Sequence, residues 1–263
     1  MACSKLMRAI APRWMVGIQA LSTAFVPITT DRELWAGHST LPRHRHEHGY
    51  ACLVLSGSYE EAGDCGRRVV RAGDVICHGP FDAHRDRMSA AGAMTINITL
   101  SDWTEFPADL CRVPDPDAIA RLAEHDHDEA RALLLSTMQP VHSVAMDWPD
   151  LLADDIRRQP HLSLLEWAET RGLAPATVSR GFRRIYEITC AAFRAQLRAR
   201  RAWRALVHGV QPLCVVAQES GFADQAHMTR SVIALTGRSP SLWRRLGSNG
   251  FNTHGARRCT LHA

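Results

Sequence analysis

The feature that most constrains this chain is an internal repeat towards its C-terminal end. Ala168, Gly172 and Leu173 recur as Ala217, Gly221 and Phe222 at a shift of 49, whereas Arg180, Phe182 and Phe193 recur as Arg230, Val232 and Trp243 at a shift of 50. One supersecondary unit is therefore used twice, with one residue added in the second turn. In the first copy Leu164, Leu165 and Ala168 give a short apolar face, Gly172 turns the chain, and Pro175 opens a helix carrying Val178, Phe182 and Ile185. In the second copy Leu213, Val216 and Ala217 form the first face, Gly221 the turn and Asp224 the cap of a helix whose buried side holds Met228, Val232 and Ile233. Two short helices meeting at a glycine turn make a helix-turn-helix. A plain helical hairpin shares that pattern, and the repetition favours the former. Between the copies, Ala191 to Val207 holds strong helix formers without Gly or Pro, which predicts one long connecting helix.

Charge follows the same division. From Ser163 onward the acids are Glu166, Glu169, Glu187, Glu219 and Asp224, against fifteen arginines from Arg171 to Arg258. The overall net charge of +4 hides this asymmetry, which points to a polyanionic partner. Lys5 is the only lysine, so the preference for Arg also reflects codon composition, and the clustering carries the argument. Gln225, His227, Thr229 and Arg230 lie near the start of the last predicted helix and are side chains of the types that reach base edges and phosphates.

The eight cysteines are scattered without a CxxC pair, which fits free thiols in a reducing, cytoplasmic setting. No apolar run approaches the roughly 20 residues of a membrane span. Lys5, Arg8 and Arg13 precede a moderately apolar stretch from Trp14 to Phe25, but Gln19, Ser22 and Thr23 interrupt it. A disordered or wrongly assigned start, covering residues 1–30, is the expectation.

A strand-rich region follows Asp31. Alternating or β-branched runs at Glu33 to Ser39, Tyr50 to Leu55, Arg67 to Val70, Asp74 to Cys77 and Met94 to Leu100 are separated by Gly-containing turns, the spacing of a small barrel or sandwich. Inside it, His44, His46 and His48 alternate with Arg45 and Glu47, so an extended chain sets all three imidazoles on one face. Gly57, the Gly73-Asp74 turn and CHGPFDAH ending in His84 come next. The following segment is acidic, from Asp102 through Glu129, which argues against contact with DNA. Its apolar residues Ile119, Leu122, Leu133, Leu134 and Met138 predict an antiparallel helix pair, packed on the barrel or against a second subunit with equal weight. Residues 140–160 are expected to be a linker, with Gln139 to Trp148 as a loop and a short helix over Pro149 to Arg158.

The strand region resembles the cupin barrel, through His44, His46 and Gly57 and then Gly73, Asp74, Pro80 and His84. Metal-binding cupins place a Glu shortly after the His pair, where this chain has Tyr50 and Ala51. The His44, His46, His48 and His84 cluster is accordingly expected to hydrogen-bond a small polar effector rather than hold a metal, and no cofactor is expected; His48 is the ligand that would stand in if metal were bound. Imidazoles at a solvated strand end are the plainer alternative.

The last hundred residues resemble the DNA-binding domain of the AraC/XylS family of bacterial transcription regulators, most closely in GFADQAHMTRSVIALTGRSPSLWRR. The order of the two halves agrees with that family as well. The resemblance implies an α+β chain: a cupin-like effector-binding or dimerisation domain with trailing helices over 31–139, and an all-α domain of two helix-turn-helix units joined by a long helix over 161–246. A polar tail is expected over 247–263; its His254, Cys259 and His262 are assigned no role. The family pattern implies DNA contacts at Ala176, Ser179 and Arg180 in the first unit and at Gln225, His227, Thr229 and Arg230 in the second. Arg183, Arg184 and Arg198 are assigned to phosphates, and one of Arg180 and Arg230 is a candidate to brace its own unit against an acid. Two recognition helices on one linking helix would enter successive major-groove segments roughly 34 Å apart. Implied partners are double-stranded operator DNA, a small effector, RNA polymerase and a second copy of the chain, with no membrane and no catalysis. The chain departs from the pattern at Ala174, Gly181 and Glu187, where the family places a Ser cap, a non-Gly helical residue and a terminal Gly. A lost cap and an internal glycine each cost about 1 kcal/mol, so the first unit is expected to be the looser one. A metal-dependent cupin enzyme, or a metal sensor, fused to a DNA-binding tail is the rival reading; an architectural DNA-binding protein without ligand is the third.

Overall fold

The computed structural model describes residues 24–101, 104–142, 147–159 and 161–250. They form two compact units, one within Thr23–Phe193 and one within Arg194–Ala263.

The first unit is built on one nine-stranded sheet: β1 (Ala24–Phe25), β2 (Arg32–Trp35), β3 (Thr40–Arg45), β4 (Tyr50–Gly63), β5 (Gly66–Arg71), β6 (Asp74–His78), β7 (Ala83–Thr99), β8 (Leu110–Arg112) and β9 (Gln139–Pro140). The strand path runs β1-β3-β7-β4-β6-β8-β9, with β2 on β7 and β5 on β4. The sheet is not a closed barrel, which corrects the expectation: both end strands have only two residues, leaving little ladder to close it. Its spine is the antiparallel pair β4 and β7, of 14 and 17 residues. Register shifts between Val54/Ser56 and Gly57/Tyr59 carry this pair through bends. Gly57 is required there, because its φ is +71° and a Cβ would fall 2.1 Å from the Gly92 carbonyl oxygen.

Both faces of β4 are covered, as its alternation dictates. Ala51 and Leu53 join Val75, Ile96 and Ile98 on one side, against Ile119 of α1 (Pro116–Ala123) and Leu134 of α2 (His127–Thr137). Tyr50, Cys52 and Val54 join Tyr59, Val70, Ile76 and Met88 on the other. The expected helix pair therefore packs on its own sheet, each member capped by an aspartate side chain, Asp115 or Asp126. Helix α3 (Trp148–Arg158) follows with an Asp147/Asp150 capping box, and β9 occupies the start of the expected loop.

Helices α4 (Leu164–Glu169) and α5 (Pro175–Tyr186) complete this unit, and α6 (Cys190–His208) is the predicted long helix. The second unit holds α7 (Leu213–Glu219), α8 (Gln225–Thr236) and α9 (Pro240–Gly250). Of the first thirty residues, those from Ala24 are described, and β1 pairs with β3; the polar tail beyond Gly250, with His254, Cys259 and His262, lies outside the described residues. The described cysteines are all free thiols, and no described helix is long and apolar enough to cross a membrane.

Candidate nucleic-acid interface and histidine pocket

Strand pairing sets His44 on β3 directly opposite His84 on β7. Their rings are 4.3 Å apart, that of His46 is 5.0 Å from His44, and those of His78 and His84 stack at 4.3 Å. Tyr50 closes the group, its hydroxyl 3.2 Å from His84 Nε2. His44, His46, Tyr50 and His84, with Glu33, Glu61 and Asp86, line a cavity of about 80 Å³, and His78 stands behind His84. His48 is not among them: β3 ends at Arg45, the alternation stops, and His48 sits exposed in a bend. Glu61 and His78 are the members that sequence reading missed. Glu61 belongs to the half of β4 beyond the Gly57 bend, and His78, whose Nε2 lies 3.2 Å from a Glu61 oxygen, ends β6.

Burial governs the charges in this pocket. It lowers the pKa of His44, drives His46 down to about 4 and holds His84 well below its ordinary value, so all three are neutral imidazoles near pH 7. It pushes Glu61 up to about 8, and Asp86, with Glu61 nearby, well above the usual carboxylate range.

The helix pairs show the other candidate site. On α5, Val178, Phe182 and Tyr186 are buried while Ala176, Ser179, Arg180, Arg183 and Arg184 are exposed. On α8, Met228, Val232 and Leu235 are buried and Gln225 and Arg230 exposed; His227 and Thr229 are half-buried, the His227 ring 5.2 Å from Phe222. Neither Arg180 nor Arg230 forms an ion pair among the described residues, so neither braces its unit in that way. Arg198, assigned to phosphates, is half-buried with its guanidinium 5.7 Å from the Phe222 ring. Two apolar assignments also change. Leu165 is 55% exposed and Ile233 42%, with Trp167 and Leu235 buried instead.

Asp224 caps α8 through a 2.6 Å bond from the His227 amide, Gly221 turns with φ +79°, and Gly237 ends the helix with φ +73°. Thr236 then accepts a 2.7 Å bond from the Trp243 indole, whose ring meets Trp203 edge-on.

Residues 167–246 match the family model described as a helix-turn-helix domain. Residues 167–246 are an AraC-type helix-turn-helix domain. Such a domain marks a DNA-binding transcription regulator. No curated protein matches the chain. Solved structures similar to it include ToxT from Vibrio cholerae, at 8% identity and TM-score 0.40, covering 82% of this chain and 98% of that one. The C-terminal domain of AraT, a response regulator from Geobacillus stearothermophilus, is similar at 20% identity and TM-score 0.34, over 44% of this chain and 92% of that one. The C-terminal domain of the response regulator yesN from Fusobacterium nucleatum is similar at 18% and 0.33, over 36% and 94%. At these values the family match carries the assignment.

Within the AraC-type domain the first helix pair explains its own departures. Ala174 indeed makes no side-chain cap. Gly181 is where the Trp148 indole packs, since a Cβ there would lie 2.4 Å from the ring. Glu187 takes the left-handed conformation usually given to glycine, φ +54°, and its carboxylate accepts a 2.9 Å bond from the Arg43 amide. Arg43 also donates to the Tyr186 carbonyl at 3.3 Å, and Arg85 Nε donates to the Ile185 carbonyl. Tyr186 in turn donates 3.0 Å to Asp150, which pairs with Arg67 on β5 at 3.0 Å. The end of α5 is thus held by three strands and α3.

Proposed function

We propose that this protein is a sequence-specific transcription regulator of the bacterial cytoplasm, reading operator DNA with α5 and α8 and sensing a small effector in the histidine pocket. The observation that carries the reading is the match over 167–246 together with the exposed polar faces of α5 and α8, which this reading takes as the recognition helices. On this reading Ala176, Ser179, Arg180, Gln225, His227, Thr229 and Arg230 meet base edges or nearby backbone, and Arg183 and Arg184 meet phosphates. Cupin-like, His44, His46 and His84 receive the effector; His48 is left out of that set. RNA polymerase and a second copy of the chain are its further partners, and the chain performs no catalysis of its own.

A route from pocket to DNA is available in the first unit. Residues alternate between sheet faces, so His44 and His84 face the cavity while their neighbours Arg43 and Arg85 bond the carbonyls of Tyr186 and Ile185 at the end of α5. An effector that binds one arrangement of these strands better than another biases the recognition helix by that difference. The test is genome-wide mapping of DNA bound by the full-length protein. Recovery of a shared motif upstream of genes supports the reading, and uniform recovery of all fragments overturns it.

A further inference from the structure

The face of the sheet turned away from the histidine pocket carries a second cavity. Strand β4 has β5 on one side and β7 on the other, with Ala62 opposite both Arg67 and Arg85, and Glu60 opposite Arg87. Side chains alternate between faces, so Glu60, Arg67, Arg85 and Arg87 share one face while Glu61, His84 and Asp86 take the other. Arg184 and Ile185 of α5 complete a cavity of about 240 Å³ over the first four. Its charges do not cancel. Arg85 reaches Glu60 at 2.8 Å and donates to the Ile185 carbonyl, and Arg67 pairs with Asp150 at 3.0 Å. Arg87 and Arg184 form no ion pair among the described residues. Two carboxylates therefore meet four guanidinium groups, and the charges of Arg87 and Arg184 are left over around one cavity. Arg85 makes its bonds through Nε and Nη2, so its Nη1 donors are still available.

We propose that this arginine cavity binds a small dianion, a phosphate monoester or a dicarboxylate, and that the bound anion competes with DNA for Arg184. The second half rests on the reading of α5 as a recognition helix. A guanidinium fork matches the paired oxygens of a carboxylate or a phosphate, and two unpaired forks suit a ligand with two negative charges. The depth of the arginines favours a small ligand over the DNA backbone. Arg85 is 3% exposed and Arg67 half-buried, which sets them out of reach of a duplex. Arg87 and Arg184 are exposed and give the anion its way in. Arg184 directly precedes the residue whose carbonyl Arg85 holds, so the anion adds to the contact between β7 and α5. A DNA phosphate and the dianion then call on the same guanidinium, and each weakens binding of the other by the same factor.

The experiment titrates the full-length protein, without DNA and at constant ionic strength, with glycerol 3-phosphate, succinate, inorganic phosphate and sodium chloride, followed by isothermal calorimetry. The expected result is saturable binding of at least one dianion at a single site, with no such response to chloride. The stronger of glycerol 3-phosphate and succinate identifies the ligand class. Arg87→Gln, at an exposed position, should lose about 10–100-fold in affinity, as removal of a hydrogen bond to a charged group does, and leave DNA binding unchanged when no anion is present. Glu60→Gln removes the competing carboxylate and should tighten binding by about 5-fold. Folded wild type that binds no dianion, or binds chloride equally, or an Arg87→Gln variant that binds as tightly as wild type, overturns the site. Loss of DNA affinity in Arg87→Gln without anion assigns the cavity to DNA phosphate and overturns it as well. If a dianion binds and leaves operator affinity unchanged, the site stands and its action through Arg184 falls. If a dianion binds and the protein shows no sequence preference on DNA, the recognition reading falls and the site stands.

Discussion

Gly181 shows how one residue is set by what lies outside its own helix. An alanine there would gain about 1 kcal/mol of helix propensity. It would also drive a methyl to 2.4 Å from the Trp148 ring, and overpacking of that kind costs about 1–3 kcal/mol. Gly181→Ala is therefore expected to lower stability by up to about 2 kcal/mol in denaturant unfolding, against the gain expected of an exposed helical site. His46 gives a prediction with a definite sign. Its pKa is held at about 4 against an ordinary 6.5, so between those values the unfolded chain binds a proton that the folded chain refuses. Its effect on stability is therefore increasingly unfavourable as pH falls from 6.5 towards 4. In metal-stripped protein, His46→Gln should lose less melting temperature than wild type between about pH 7 and about pH 5. A steeper loss in the variant would contradict the burial of a neutral ring.

Among the elements, α5 owes its position to polar contacts at its end as much as to its apolar face. Asp150, itself buried, accepts from the half-buried Arg67 and from Tyr186 while closing the cap of its own helix. Removing one partner of a buried pair leaves the other charge unpaired, at about 3–5 kcal/mol. Asp150→Ala should lower stability by that order and increase amide exchange at the end of α5 more than in α8; equal exchange in both would show that the contact does not anchor α5. The helices were legible in the sequence because glycine turns, apolar spacing and an aspartate cap are local signals, as at Gly221, Val232 and Asp224. The sheet was only partly legible. Ser56 and Gly57 read as the end of a strand, whereas β4 bends there and continues to Gly63. That misreading hid Glu61, and with it the carboxylate of the pocket. His48 failed for the opposite reason: alternation was carried past Arg45, where the strand ends. Gly181 and Glu187 look like defects when α5 is considered alone, and become intelligible once Trp148 and Arg43 are seen against them.

At the scale of the whole molecule, basic charge at the C-terminal end and an acidic segment after the sheet divide the labour between DNA and the remainder of the fold. Contacts of two kinds should then separate in solution. Arg184→Ala is expected to weaken binding evenly across DNA sequences and to reduce the salt slope by about 1, as loss of one phosphate contact does. Gln225→Ala should instead cost about 1–3 kcal/mol on the preferred sequence and little elsewhere. Even losses on every sequence for Gln225→Ala would remove it from base readout.

The most direct measurement of the central claim is a fluorescence-anisotropy titration of the full-length protein, at fixed physiological salt, on the fragment most enriched in genome-wide mapping and on a shuffled fragment of equal composition. A sequence-reading regulator predicts a preference of about 10³-fold or more for the enriched fragment, largely lost in Arg230→Ala. Equal affinity for the two fragments in wild type would contradict it.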